Sequence, residues 1–543
     1  MSLLPFLEDV FAKTFHASST ASRKQNCTPA SPSSCICRDP YSGEVVFQRP
    51  YLSLDDAVEK VLKTQRAFKI WKSVPLGKRI AHIQKGCVYF EDHKAELAKE
   101  ITKAMGKPLS QSLFEIEAGV SKMKQLCTQA PKALETEFPP SPDEGKTRYE
   151  VQRVPKGVIE VIAPWNYPVF TALNGVIPAL LSGNAVVLKH ETLPAVGEAF
   201  EKAFGTFRCA SAGAPGSSVG GPTPVEGLVS HLLVNVETSS ILAVERDEIK
   251  HRVFTGSVGG GRGVMQTVGE RAQNTKLTSP FITCSLELGG CDSCYIARDA
   301  DLETAVPFIV NIGRLHNSGQ SCCNVKRLLV HSEVMKEVEA KLCDEFGKTV
   351  LGDPSDENTT IGPLYGGKER VRFLWDLLLD AKKKGAKKIL VRGEDVTALD
   401  LKALRLKVLM ASPGSEDAFF APTIVMFESA PPTSSPSVPR LLQEESFGPL
   451  LPVVSVGGDE EAVAIANGTS FALTHSIWTT DSKRARRYVD AIEAGTVMVN
   501  WCNDVHPQIV WSGQRRSGNG QGAMGSEGFR VLTYPKSVIL HDI

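Results

Sequence analysis

The 543-residue chain carries 61 Lys and Arg against 61 Asp and Glu, a formal net charge of zero at pH 7. That balance argues against a nucleic-acid binder or a basic membrane-surface protein, both of which need surplus cations to neutralise phosphates. With 42% hydrophobic and 22% charged residues it reads as ordinary globular protein, enough for about three units at ~100–200 residues each, and no apolar run approaches the ~18 residues of a membrane span.

Along the chain, the first segment contains Glu8 and Asp9 and lacks a long apolar core, so it does not read as a secretory signal. Thirteen cysteines of irregular spacing then point to a reducing compartment, the cytoplasm, instead of a disulfide framework; residues 14–24, rich in Ser, Thr, Lys and Arg, leave an organellar transit peptide as the alternative. Residues 25–40 read as an irregular entry. Ser53 followed by Asp55 and Asp56 reads as a helix start, with Val58, Val61, Leu62 and Phe68 at helical spacing. A second helical region covers about 78–135, broken near Gly106 and Pro108 and ended by Pro139, Pro140 and Pro142.

From residue 156 the rhythm changes. β-Rich runs at Val158–Ile162, Ala185–Leu188, Leu232–Val236 and Arg252–Thr255 alternate with helix-compatible segments, which implies βαβ units and a parallel sheet covered on both faces. Ligands of such sheets bind at the carboxyl ends of the strands. Residues 209–227, 396–417 and 430–439 are rich in Gly, Pro and Ser or break the rhythm, and read as insertions.

Four strand-end loops carry chemistry. After Val158–Ile162 comes Ala163-Pro164-Trp165-Asn166-Tyr167-Pro168, in which the Asn166 amide either closes a turn or donates to an oxyanion. After Ala185–Leu188 comes Lys189-His190-Glu191, a cation and a carboxylate suited to ribose hydroxyls. After Arg252–Thr255 comes Gly256-Ser257-Val258-Gly259-Gly260, a glycine-rich turn opening a helix, whose bare N–H groups and dipole suit a phosphate. Then Leu286-Glu287-Leu288-Gly289-Gly290 places a carboxylate in an apolar strand end, where desolvation raises its pKa toward that of a general base. The sharpest feature follows at Asn317-Ser318-Gly319-Gln320-Ser321-Cys322-Cys323: a thiol that acts as nucleophile must be activated by its surroundings.

Two competing motifs fit less well. Gly216-Ser217-Ser218-Val219-Gly220 matches the serine nucleophile elbow but follows no hydrophobic strand. Cys291 and Cys294 form C-x-x-C, but adjacent Cys322 and Cys323 are poor partners for one tetrahedral zinc, so no metal site is expected.

Taken in order from about residue 40, Pro164-Trp165-Asn166-Tyr167-Pro168, Phe254-Thr255-Gly256-Ser257, Leu286–Gly290, Gly319-Gln320-Ser321-Cys322 and Glu445-Ser446-Phe447-Gly448-Pro449 resemble the aldehyde dehydrogenase superfamily, and Met105-Gly106-Lys107-Pro108 resembles its semialdehyde-oxidising branch. The resemblance implies that Cys322 attacks an aldehyde, Asn166 holds the oxyanion and Glu287 activates water to release a carboxylic acid. It places NAD or NADP on Ile162, Trp165, Lys189, Glu191, Gly256, Ser257, Glu445 and Phe447. It implies an α/β fold: a Rossmann-like cofactor domain (40–137 and 156–286), an α/β catalytic domain (287–495) and a small β bridging element (138–155 and 496–535) that pairs subunits into a homodimer or homotetramer. Departures from the family pattern are Glu191, two positions after Lys189 instead of three; Cys291 and Ser293 after the Glu-Leu-Gly-Gly; and Trp511-Ser512-Gly513 where Phe-Gly-Gly is common. They motivate one rival reading, a catalytically silent scaffold of the same fold.

Overall fold

The computed structural model describes residues 33–141, 146–209, 223–409, 418–430 and 435–541. Residues 14–24 and the Gly216–Gly220 elbow lie outside them, as do residues 210–222, 410–417 and 431–434 of the three expected insertions. Around the first insertion, Thr206–Cys209 and Thr223–Glu226 pair antiparallel, while the described part of the second holds a helix, Leu401–Leu409.

The β-rich runs assemble into a five-stranded parallel sheet in the order Thr283–Glu287, Ile249–Thr255, Val158–Ile162, Ala185–Lys189, Val229–His231. Every residue of Ala185–Lys189 is buried, as continuous apolar runs covered on both faces require. The one charge inside Val158–Ile162, Glu160, is satisfied across the ladder: Arg252, its register partner, donates to it at 2.5 Å, and Ser239 donates at 2.8 Å. Strand order reverses between Val158–Ile162 and Ile249–Thr255, so the crevice of a doubly wound sheet opens beside the Asn166 loop and the Gly256 turn.

A second sheet of eight strands follows, ordered Glu394–Asp395, Lys388–Val391, Thr423–Phe427, Leu450–Val456, Arg327–His331, Ser293–Ile296, Thr474–Trp478, Thr496–Val499. Its centre is parallel, and Lys388–Val391 runs antiparallel to both neighbours. The last strand, Thr533–His541, pairs antiparallel with Thr147–Pro155 over its whole length as a two-stranded ribbon.

Local chemistry explains where the elements begin and end. Ser53 caps helix Leu54–Trp71 by accepting from the Asp56 N–H at 3.1 Å. The helical region after it is three helices, Leu76–Asp92, Lys94–Met105 and Leu109–Ala133. Gly106 (φ 80°) ends the middle one, and a further break falls at His93, which no proline or glycine marks. Residues 34–38, expected to be irregular, form a strand paired with Val45–Pro50, because Cys35 and Cys37 alternate inward at the two-residue period of a strand. The apolar run Leu232–Val236 is not a strand. The ladder stops at His231, and Asn235 caps helix Val236–Glu245 by accepting from the Thr238 N–H at 2.8 Å.

A buried ion pair joins the helical layer to the first strand-end loop. Lys107 and Glu115, both essentially inaccessible, contact each other. The Glu115 carboxylate also accepts from the N–H groups of Val169 and Phe170 at 2.9 and 3.1 Å, at the start of helix Pro168–Leu181. Lys107→Met is expected to strand that carboxylate without its counter-ion and cost about 3 kcal/mol, readable as a lower urea midpoint with unchanged m-value.

Candidate active site

Cys322 is delivered by a turn that its own sequence strains. Asn317, Ser318 and Gly319 all have positive φ (55°, 54° and 77°), a conformation costly for the first two. Hydrogen bonds hold it: Asn317 Nδ2 donates to Asn166 O at 2.9 Å, Ser318 Oγ to Gly362 O at 3.0 Å, and Asn324 Nδ2 to Gly319 O at 2.7 Å. A Cβ on Gly319 would lie 2.5 Å from Gly448 O, so no larger residue fits. Asn166, nearly buried, turns its Nδ2 into the same turn, 3.1 Å from Gln320 O.

Glu287 ends strand Thr283–Glu287. Its Oε1 lies 3.9 Å from Cys322 Sγ, although 35 positions separate the two in sequence. Thr255 Oγ1 donates to its Oε2 at 3.2 Å, and the buried Trp511 indole N–H donates to Oε1. Desolvation by the surrounding protein raises the Glu287 pKa to about 7, against the opposing hydrogen bonds of Trp511 and Thr255. Contact with the Cys323 sulfur, then burial, then the charges of Cys323 and Glu287 push the Cys322 thiol up, while Lys326 opposes them. A thiol so placed rests protonated and needs a base within reach.

Lys326, only 1% exposed, supplies the local cation: its ammonium donates to Cys322 O and pairs with Glu445 at 3.5 Å. Glu445 in turn accepts from the Gly290 N–H at 3.0 Å. The next loop is fixed by buried Arg314, which donates to Ser446 Oγ at 2.8 Å and to the carbonyls of Gly448 and Leu450. Phe447 is held at φ 48° and meets the Trp165 ring edge-on at 5.7 Å.

The remaining residues singled out in the sequence line the sheet crevice. Ile162 stands beside Lys189 in the strand register. Lys189 contacts Glu191, whose other oxygen accepts from the Tyr51 hydroxyl. Ser257 caps helix Val258–Ala272, accepting from the Gly260 N–H at 3.1 Å, directly after Gly256. A Cβ on Gly259 would meet nothing nearer than the Ser257 hydroxyl at 3.9 Å, while the Phe254 ring packs against Gly256 and Gly260, and a helix N-terminus of this kind stabilises phosphate. A cation, this helix end and a buried Thr192 hydroxyl without a partner among the described residues suit the phosphates and ribose of a dinucleotide.

The aldehyde dehydrogenase family model matches residues 28–538. The chain belongs to the aldehyde dehydrogenase family. It is 29% identical over 521 residues to the succinate-semialdehyde dehydrogenase [NADP(+)] of Deinococcus radiodurans, covering 96% of this chain and 97% of that protein. It is also 29% identical over 514 residues to the 3,6-anhydro-alpha-L-galactose dehydrogenase of Streptomyces coelicolor, covering 92% of each. Among solved structures, a betaine aldehyde dehydrogenase from Staphylococcus aureus in complex with NAD+ superposes with a TM-score of 0.75 at 25% identity, over 94% of each chain. The protein is an aldehyde dehydrogenase that uses NAD(P), and nothing in these likenesses favours a silent scaffold.

Within this aldehyde dehydrogenase, four residues at the site escaped the sequence reading. Thr255 was quoted only as part of a motif. Trp511 was noted only as a departure, yet an indole N–H offers Glu287 a donor that a phenylalanine ring lacks. Nothing in the sequence distinguishes Lys326 or Lys122 from a solvated lysine, since only the tertiary fold buries the first and half-buries the second. Cys291, the first cysteine of the C-x-x-C pair, points its thiol toward the Leu442 and Glu444 carbonyls at 3.9 and 3.7 Å. Among the described residues no group of three or more His, Cys, Asp or Glu is placed to hold a metal.

Proposed function

We propose that Cys322 is the nucleophile, Glu287 the general base and Asn166 the oxyanion donor of this aldehyde oxidation. The observation that carries the reading is the 3.9 Å approach of Cys322 Sγ to a carboxylate whose pKa is raised to about 7. A base with that pKa is half ionised near neutrality, the condition that balances availability against basicity. The Cys322 thiol gives up its proton to water as its sulfur adds to the aldehyde carbon, and the new alkoxide is met by the Asn166 Nδ2 and the Cys322 backbone N–H. NAD(P) would be held by Ile162 and Trp165 at the first strand end, by Lys189 and Glu191 for the ribose, by Gly256 and Ser257 for the pyrophosphate and by Glu445 and Phe447 on the nicotinamide side, and when bound it would supply the hydride acceptor that oxidation of the adduct to an acyl thioester requires. Glu287 then takes a proton from water as that water attacks the acyl thioester, and Cys322 leaves as thiolate.

The branch of substrates supported by Met105–Pro108 and by the Deinococcus relative is semialdehydes, short aldehydes with an acid at the far end. The cofactor domain is assigned to 40–137 and 156–286, the catalytic domain to 287–495 and the bridging element to 138–155 and 496–535. The homodimer or homotetramer is supported by the ribbon Thr147–Pro155 with Thr533–His541: an isolated two-stranded ladder is marginal in water, and its Ile539 is 63% exposed. The test is a panel of aldehydes with NAD and with NADP, following reduced nicotinamide and acid product. Asn166→Ala is expected to lower kcat about 10²-fold or more with the best substrate; unchanged kcat would remove Asn166 from the mechanism.

A further inference from the structure

Helix Leu109–Ala133 sends a cation toward the reacting thiol. Glu115, Gly119 and Lys122 recur at helical spacing along the face that meets helix Pro168–Leu181: Glu115 accepts from the Val169 and Phe170 N–H groups, and a Cβ on Gly119 would touch the Val169 side chain at 3.1 Å. Lys122 comes next on that stripe. Its ammonium lies 4.2 Å from the Phe170 ring centre and donates to Val505 O at 2.6 Å. Val505 packs against the cluster that contains Cys323, Trp511 and Cys322. Two residues before it, Asn503 Oδ1 accepts from the Ser321 hydroxyl and the Cys323 thiol, each at 3.2 Å. Lys122 is therefore one loop away from the nucleophile.

This lysine has no ion-pair partner among the described residues, in contrast to Lys107, which Glu115 neutralises on the same face. The charges acting on it are those of Asp504, Cys323, Glu115 and Glu287; all favour its protonated form, and desolvation outweighs them. A half-buried ammonium with no carboxylate at ion-pair distance among the described residues is costly, and an anionic ligand relieves the cost. One helical turn beyond Phe170, Asn174 is nearly buried and its Oδ1 has no hydrogen-bond partner among the described residues. Its amide, in either flip, is a second polar group left unused on the helix that carries Phe170.

We propose that Lys122, with Asn174 one helical turn beyond the Phe170 ring it covers, receives the terminal carboxylate of the substrate while the aldehyde end meets Cys322. The inference rests on the reading of Cys322 as the nucleophile and makes Lys122 the residue that selects aldehyde acids over uncharged aldehydes.

The test compares 4-oxobutanoate with butanal, one carbon chain with and without the carboxylate, on the same enzyme preparation. Wild type is expected to favour 4-oxobutanoate in kcat/KM, and Lys122→Met to cut that preference about tenfold or more, mainly through KM, as loss of a charge-assisted hydrogen bond implies. Lys122→Arg is expected to recover most of it. Because both substrates are read on one preparation, any loss of folded enzyme cancels from the ratio. A wild type that turns over butanal as well as 4-oxobutanoate, or a Lys122→Met ratio equal to wild type, overturns the anchor and leaves the Cys322 chemistry standing. Failure of wild type with every aldehyde overturns both.

Discussion

Cys322→Ala is expected to abolish aldehyde-dependent reduction of NAD(P), by at least ~10³-fold in kcat, as loss of a covalent nucleophile does when other groups depend on it. The neighbouring thiol does not substitute. Cys323 is buried and its sulfur faces Asn503 Oδ1 and Ser321, whereas Cys322 is partly accessible and faces Glu287. The side chain removed is small and leaves no buried charge unpaired, so the thermal midpoint should stay close to that of wild type. Turnover persisting in Cys322→Ala, with the midpoint unchanged, would move the nucleophile elsewhere.

Glu287→Gln is expected to separate the two halves of the reaction. If Glu287 serves water attack, the variant releases a burst of reduced nicotinamide of about one equivalent per active site and then stalls, with the steady rate lowered about 10²–10⁴-fold. Rapid-mixing absorbance reads both phases; absence of a burst would assign Glu287 to deprotonating the thiol instead. The sign of the pH dependence follows from the raised pKa. Only ionised Glu287 accepts a proton, so wild-type kcat should climb from about pH 6 to about pH 8 around the value of about 7. Trp511→Phe removes the indole donor that stabilises the ionised form, so the same limb should move to higher pH.

Much of this was legible in the chain because the family resemblance rests on short segments that each bind backbone to a strand end. Val158–Ile162 and Ala185–Lys189 are β-rich runs, and the Asn166 loop and His190-Glu191 follow them at once. The capping chemistry of Ser53 was equally local. Leu232–Val236 misled for the same local reason: an apolar run of that length suits strand or helix entry alike, and the Asn235 cap decided it. Cys35 and Cys37 hid a strand inside a segment whose prolines and serines suggested none.

The residue types that do the chemistry, a cysteine after a strained Asn-Ser-Gly turn and a glutamate closing an apolar strand, were set by the sequence, because covalent reactivity and strand periodicity belong to short stretches. What only the tertiary structure decided is their electrostatics. Glu287 becomes a base of pKa about 7 because the fold removes water from around it, against the hydrogen bonds that Trp511 and Thr255 bring from separate segments. Lys326 and Lys122 are indistinguishable in sequence from surface lysines. One becomes the buried cation on the nucleophile's own carbonyl and the other an unpaired ammonium one loop away, because desolvation depends on what packs around a charge and not on its neighbours along the chain.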